Sequence, residues 1–278
     1  MRYFEAPPKE FYFGKRSANC ENIYYEKWLP QRDGGASGED AYPTYTEYNY
    51  LGSGLAARIK SRHFEVALRL TQDLFGANHA IDLGCADGVF LPSLSKHFAS
   101  VCGIEQHPPF ARLSRSLVES VGLPNVTVLC NEGIDLAGLK ERIPEREYRV
   151  LFLLEVIEHV GDRDALYESK LAFLRGVFGL LEPDGVVVLS VPRMVGLSFL
   201  AQRMGFAVLG VHREAISMRN LLRASFLCDT ADLREEWDSS KHLGFNDREL
   251  EQSIYGSEFR IVKKRNLLFQ KVLVISRR

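Results

Sequence analysis

The chain has 278 residues, 46% hydrophobic and 26% charged, with a formal net charge of -1. A sizeable core can be buried, and the charge argues against a chain built mainly to coat nucleic acid or an anionic membrane, since such proteins carry a clear excess of Lys and Arg, while leaving room for a local basic patch. Cys20, Cys85, Cys102, Cys130 and Cys228 are odd in number and form no CxxC pair, which argues against a zinc cage or a disulfide framework and for a reducing cytoplasm.

The first residues, Met1-Arg2-Tyr3-Phe4-Glu5, soon meet two prolines and lack the continuous apolar core of an export signal. Residues 1–54 read as an irregular extension with a flexible stretch at Gly34-Gly35 and Gly38. Eight of the eleven tyrosines fall in the first fifty residues, with Phe4, Phe11, Phe13 and Trp28. A disordered tail is poor in aromatics, so this extension is expected to pack, either as a strap over the core or as an aromatic lid over a substrate.

From Leu55 apolar residues recur at helical spacing, as Leu55, Ile59, Val66, Leu70 and Leu74, before a short apolar run, Ala80-Ile81, leads to Asp82. That is helix followed by strand. The alternation repeats with a strand at Val101 to Ile104, a helix opened by Pro108-Pro109, where the missing N–H is no loss, and a strand at Val126 to Leu129. A fourth strand, Val150 to Leu154, precedes a helix carrying Tyr167, Leu171, Leu174, Phe178 and Leu181 and ending at Pro183-Asp184-Gly185. The fifth strand, Val186 to Val191, is almost wholly apolar and is expected at the sheet centre.

An insertion follows at about 193–240. Its longest apolar stretch, roughly Val195 to Val211, is interrupted by Gln202 and Arg203 and sits at the short limit for a membrane span. A helix that is partly buried or touches lipid is expected, not one that crosses. Asn246-Asp247-Arg248-Glu249 resembles a capping box. The runs Phe259 to Lys263 and Lys271 to Ser276 lie too close together for a helical crossover and should pair antiparallel. The expected architecture is α/β, a doubly wound, mostly parallel sheet of seven strands with an antiparallel C-terminal hairpin and helices on both faces.

Polar residues collect at the ends of the strands. Ile81-Asp82-Leu83-Gly84-Cys85-Ala86-Asp87-Gly88 leaves the first strand and enters a helix near Val89; small residues there let backbone amides approach a ligand at a helix N-terminus. Glu105 ends the second strand, where a carboxylate can accept both hydroxyls of a ribose. Gln106 follows it, Asn131-Glu132-Gly133 ends the third strand, and Glu155 ends the fourth. In an open α/β sheet these carboxyl ends converge on one crevice.

With these segments in view, the chain resembles the class I S-adenosylmethionine-dependent methyltransferases, from about Arg58 to Arg278. Five ordered segments carry the likeness: IDLGCADG, GIE, NEGID, LLEVIEHV and LLEPDGVVVLSVP. Their wording is similar to the group that includes ubiquinone-pathway O-methyltransferases. The resemblance implies a Rossmann-like domain over 55–278 and S-adenosylmethionine as cofactor. It further implies Gly84, Cys85, Ala86 and Gly88 against the methionine part, Asp82 anchoring the turn and the ammonium side, and Glu105 on the ribose. Gln106, Asn131, Glu132 and Glu155 would complete the cofactor-binding set, with Glu132 near the adenine amino group. Ala86 stands where the middle glycine is usual. A nicotinamide enzyme would show GxGxxG for a pyrophosphate; here Gly84 and Gly88 frame GxAxG with Asp87 inside, a carboxylate better suited to a sulfonium and an ammonium.

Glu155, Glu158 and His159 would share one face if a helix had already begun. Two carboxylates and an imidazole could hold a divalent metal such as Mg²⁺ and acidify an acceptor hydroxyl, with His242 as a distant ligand. The small-RNA terminal 2′-O-methyltransferases use a similar group. Alternatively His159 or His242 acts as a metal-free base, assisted by Glu155, or the segment is simply the first turn of a helix. The insertion, apolar and dotted with arginines, reads as a roof over a hydrophobic, lipid-linked or anionic acceptor, or as helices that pack together or form a dimer contact. The expected activity is O-methylation of a small-molecule, glycan or lipid-linked hydroxyl. A metal-dependent RNA 2′-O-methyltransferase and a non-catalytic S-adenosylmethionine-binding or partner-binding module are the alternatives; the overall charge disfavours nucleic acid, and transient membrane contact is compatible with the insertion.

Overall fold

The computed structural model describes residues 2–19, 41–52, 54–144, 147–208, 215–235, 237–238 and 242–278. Trp28, the Gly34-Gly35 and Gly38 stretch, Cys20 and the Leu209 to Val211 end of the apolar run fall outside them.

In chain order the elements are α1 (Lys9–Phe13), α2 (Tyr45–Tyr50), α3 (Leu55–Leu70), β1 (Gly76–Leu83), α4 (Leu91–His97), β2 (Phe98–Glu105), α5 (Pro108–Val121), β3 (Val126–Cys130), α6 (Leu136–Lys140) and β4 (Tyr148–Leu154). A 3₁₀ turn (Ile157–His159) precedes α7 (Leu166–Phe178), β5 (Val186–Pro192), α8 (Gly196–Val208), α9 (Met218–Leu222), a π turn (Arg223–Leu227) and α10 (Ala231–Arg234). The chain then runs through α11 (Asp247–Tyr255), β6 (Phe259–Asn266) and β7 (Gln270–Arg277). The seven strands form one sheet in the order β3-β2-β1-β4-β5-β7-β6. β2 pairs parallel with β1 and β3, and β7 pairs antiparallel with both β5 and β6. The central strand is therefore β4, with β5 beside it: the apolar run of β5 reflects cover on both faces, a property shared by every interior strand.

The chain divides into two compact units, Met1–Phe152 with Leu180–Glu182, and Leu153–Gly179 with Pro183–Arg278. In the first, the N-terminal segment is more regular than its composition suggests. Phe4 stacks on Phe64, which stacks on Phe90, each pair 4.9 Å between ring centroids, and Tyr12 is fully buried. α1 and α2 are five and six residues long, too short to leave a periodic signal. Their order comes from what they pack on, since isolated helices of that length are unstable.

In the second unit, α7 stops at Phe178 with Gly179 as its C-cap, so Leu181 lies beyond the helix that its spacing suggests. Asn246 caps α11 as expected: its Oδ1 accepts the N–H groups of Arg248 and Glu249, and its Nδ2 donates to Glu249 at 2.9 Å.

Candidate active site

β1 ends in a turn whose backbone is left-handed at Gly84 (φ 84°), Ala86 (φ 48°) and Gly88 (φ 92°). The N–H groups of Gly84 and Cys85 both donate to the carbonyl of Ile104, at 2.8 and 3.0 Å, and that of Gly88 to the carbonyl of Cys85 at 3.0 Å. Ala86 N–H donates to Glu105 Oε2 at 2.8 Å. The amides expected to reach a ligand are thus engaged within the loop and its neighbour strand, because β2 runs alongside and its terminal acceptors are nearest. Gly88 is also not held open for a ligand: a Cβ there would meet Leu117 and Ser114 of α5 at 3.0–3.3 Å. The Cys85 side chain is buried, and its Sγ is 3.2 Å from where a Cβ on Gly103 would stand.

What the turn does present is a pair of buried carboxyl groups, Asp82 and Glu105. Asp82 is buried and its Oδ2 has no hydrogen-bond partner; burial, and then the neighbouring Glu105, pushes its carboxyl up to about 8. Glu105 is 8% exposed. Its Oε1 accepts the His107 N–H at 2.8 Å, and its backbone carbonyl accepts the Asn131 N–H at 3.0 Å. Burial raises the Glu105 pKa against the pull of those amides. Backbone amides of Ala86, Gln106 and His107 all act on this carboxylate, and its remaining acceptor capacity is what a ribose hydroxyl could use. The tips of β1, β2 and β3 are therefore tied together at Glu105. Asn131 Oδ1 is buried without a partner, whereas Gln106 and Glu132 are exposed. Two adjacent buried acids, one of them unpartnered, fit a cationic nucleoside ligand, since a positive group would restore the charge that burial disfavours.

Asp87 does not face such a ligand. Its carboxylate accepts the backbone N–H of Thr46 at 2.8 Å and the Thr46 hydroxyl, while its carbonyl accepts the Tyr12 hydroxyl at 3.1 Å. Burial pushes its pKa up to about 6, opposed by the Thr46 bonds. The acid inside the glycine turn thus anchors α1 and α2 and is not available to a sulfonium.

A second group lies in the other unit. Glu155 takes φ 56°, so no helix has begun; its N–H donates to the Ser190 carbonyl at 3.0 Å and its Oε1 accepts the Ser190 hydroxyl at 2.8 Å. The expected common helical face of Glu155, Glu158 and His159 does not form; Glu155 bonds to Ser190, while its charge still acts on Glu158. Instead Glu158, His159 and His242 each offer an atom within 4.8 Å of one another. Glu158 is fully buried, neither carboxylate oxygen has a hydrogen-bond partner, and Oε1 is 3.9 Å from His242 Nδ1. The His159 and His242 ring centroids are 4.7 Å apart. Burial first, and Glu155 next, raises Glu158 well above the carboxylate range. A buried acid without hydrogen-bond partners beside two imidazoles is a donor set that fits a divalent cation of the imidazole-binding kind, such as Zn²⁺ or Fe²⁺, better than Mg²⁺.

Sequence reading missed Lys170. It lies on the buried face of α7 with Leu166, Tyr167, Leu174 and Val177, and its ammonium donates to the carbonyls of Ile157, Glu158 and Val160 at 2.7, 3.2 and 2.5 Å. A lysine between apolar helix positions was the available signal.

A family model described as a methyltransferase domain matches residues 56–231, more than half of the chain. The chain belongs to this methyltransferase family. The methyltransferase uses S-adenosylmethionine as cofactor. Mouse EEF1A lysine methyltransferase 2 is 26% identical to it over 115 residues, 40% of this chain and 44% of that protein, so the match spans less than half of the curated relative. Among solved structures, an S-adenosylmethionine-dependent methyltransferase from Anabaena variabilis aligns with a TM-score of 0.51 and 16% identity, over 77% of this chain and 83% of that one. The [4+2]-cyclase SpnF aligns with a TM-score of 0.50 and 11% identity, over 81% and 84%. These two likenesses concern the fold; a cyclase among them illustrates that the fold alone does not name the reaction.

Proposed function

We propose that the methyltransferase methylates a hydroxyl of a small-molecule, glycan or lipid-linked acceptor, and that Glu158, His159 and His242 hold a divalent cation for that purpose, their one carboxylate and two imidazoles suiting Zn²⁺ or Fe²⁺ more than the Mg²⁺ expected from two carboxylates. The observation that carries this reading is the fully buried Glu158 carboxylate, unbonded at both oxygens and beside two imidazoles. A bound cation supplies Lewis-acid polarisation that acidifies a hydroxyl. The chain's own residues do the rest: Glu105, with Asp82 once the cofactor's charge has expelled its proton, receives the cationic cofactor, and Asn131 Oδ1 offers an acceptor for its base. In a metal-free site the two imidazoles are not ligands, and His159 or His242 takes the hydroxyl proton instead. General-base assistance of this kind contributes about 10²–10⁴-fold.

The insertion supports an amphiphilic acceptor or one carried at a lipid surface. Leu197, Met204, Met218, Leu222, Phe226 and Leu227 are exposed; over the whole insertion, 193–240, six arginines are balanced by six acidic residues, and Arg223 is paired with Asp229 and Asp232, so apolar surface and not net charge supports this reading. No helix among the described residues is long and apolar enough to cross a membrane. A lysine amine is the second reading, favoured by the name of the mouse relative.

Both readings are separated by turnover on a panel of phenols, glycans, lipid-linked hydroxyls and lysine peptides, with and without chelator. Turnover of a hydroxyl acceptor, abolished by EDTA, restored by an added divalent ion from the series Mg²⁺, Mn²⁺, Fe²⁺ and Zn²⁺ and lost in Glu158→Gln, is expected. Chelator-indifferent methylation of lysine would replace the first reading by the second.

A further inference from the structure

Lys170 is fully buried, an unfavourable place for an ammonium unless its N–H groups are all engaged. Here three carbonyls meet its three donors, and two of them, Ile157 and Glu158, belong to the 3₁₀ turn itself while the third, Val160, is its C-cap. The end of such a turn leaves carbonyls pointing away from the chain with partial negative charge. The same ammonium lies over the rings of Trp237 and Phe245, 5.2 and 5.5 Å from their centroids. Phe245 in turn closes the bend that carries His242, its N–H donating to the His242 carbonyl at 3.2 Å. One side chain thus grips the turn bearing Glu158 and His159 and packs against the wall of the bend bearing His242.

We propose that Lys170 is a positioning residue for the Glu158, His159 and His242 group: it sets the separation of the two segments from which these three side chains come. The proposal rests on the metal-holding reading above only for the use made of that separation. Groups that orient metal ligands without touching the metal typically account for about 10–100-fold in affinity, and an ammonium that fixes two ligand-bearing segments at once should fall in that range. An apolar side chain of similar length would fill the same volume and keep contact with the rings, yet lose all three bonds to the turn and so the link between the two segments.

The test compares the full-length protein with Lys170→Met and with Lys170→Gln, whose amide retains two N–H donors. Three quantities are read: Mn²⁺ affinity by calorimetry, the NMR cross-peak between the His159 and His242 rings without metal, and S-adenosylhomocysteine affinity as a control on the first unit. Lys170→Met should lose Mn²⁺ affinity about 10–100-fold and lose the ring cross-peak, with S-adenosylhomocysteine affinity unchanged within about twofold and Lys170→Gln intermediate. Wild-type Mn²⁺ affinity and an intact cross-peak in Lys170→Met would overturn the proposal. If Lys170→Met does not fold, Lys170→Gln is read alone, and wild-type behaviour in it overturns the proposal equally. A wild-type protein that binds no Mn²⁺ removes the metal reading, while the cross-peak still decides the role of Lys170.

Discussion

Thr46 donates both its backbone N–H and its hydroxyl to the carboxylate of Asp87, 41 residues away, inside the glycine turn. The hydroxyl bond to a buried acid is of the kind worth about 1.5–3 kcal/mol. Thr46→Val should lower stability by that order in denaturant titrations. Asp87 has a raised pKa, about 6, so the folded state holds its proton more tightly than the unfolded chain. Its contribution is therefore present at low pH and lost as pH rises toward and through that value. Thr46→Val removes a bond that stabilises the ionised form, so its penalty should be larger at pH 8 than at pH 5. Equal penalties at both would mean that Asp87 does not change its protonation state between pH 5 and pH 8.

Asp82, held up to about 8 by burial and by Glu105, should be largely protonated at pH 7 in the free protein. A cationic cofactor beside it favours the ionised form and should expel that proton. Calorimetry of S-adenosylmethionine binding at pH 7 in two buffers of different ionisation enthalpy should then show release of up to one proton, and affinity should rise between pH 7 and 9. Buffer-independent heats would place the cofactor's charge elsewhere.

Ala86 occupies left-handed backbone (φ 48°), where a Cβ costs roughly 1–2 kcal/mol, while glycine's extra freedom in the unfolded chain returns part of that. Ala86→Gly should yield a net gain of about 0.5–1 kcal/mol with cofactor affinity preserved, since the Ala86 N–H to Glu105 bond needs no side chain. A destabilised variant would show that the methyl group packs usefully.

Glu105→Ala deletes the acceptor of the Ala86 and His107 amides as well as the carboxylate available to a ribose. S-adenosylhomocysteine affinity should fall by at least about 2 kcal/mol, roughly thirtyfold. Unchanged affinity would remove Glu105 from the cofactor site.

The strand and helix order was legible because hydrophobic periodicity is a local property: β5 and the Asn246 cap stand close to where spacing and composition put them. Glu105 was legible for the same reason, as a carboxylate at the tip of an apolar run. The helical grouping of Glu155 with Glu158 was not, because a single left-handed residue re-aims everything after it, and no composition signal marks φ 56° on a glutamate. α1 and α2 were hidden by their brevity, and Lys170 because only its place among apolar positions marked it, while the three carbonyls that receive it come from a turn ten or more residues earlier.

The order of residues alone therefore determined the α/β alternation, the family and the acidic character of the strand tips, all of which depend on neighbours a few positions apart. Only the tertiary structure decided which acid faces what: Asp87 to Thr46, Glu155 to Ser190, Glu158 to the two histidines. Those pairings join distant segments, and the entropy of closing such loops is overcome by the packing of the whole domain, so no short stretch of the chain can encode them.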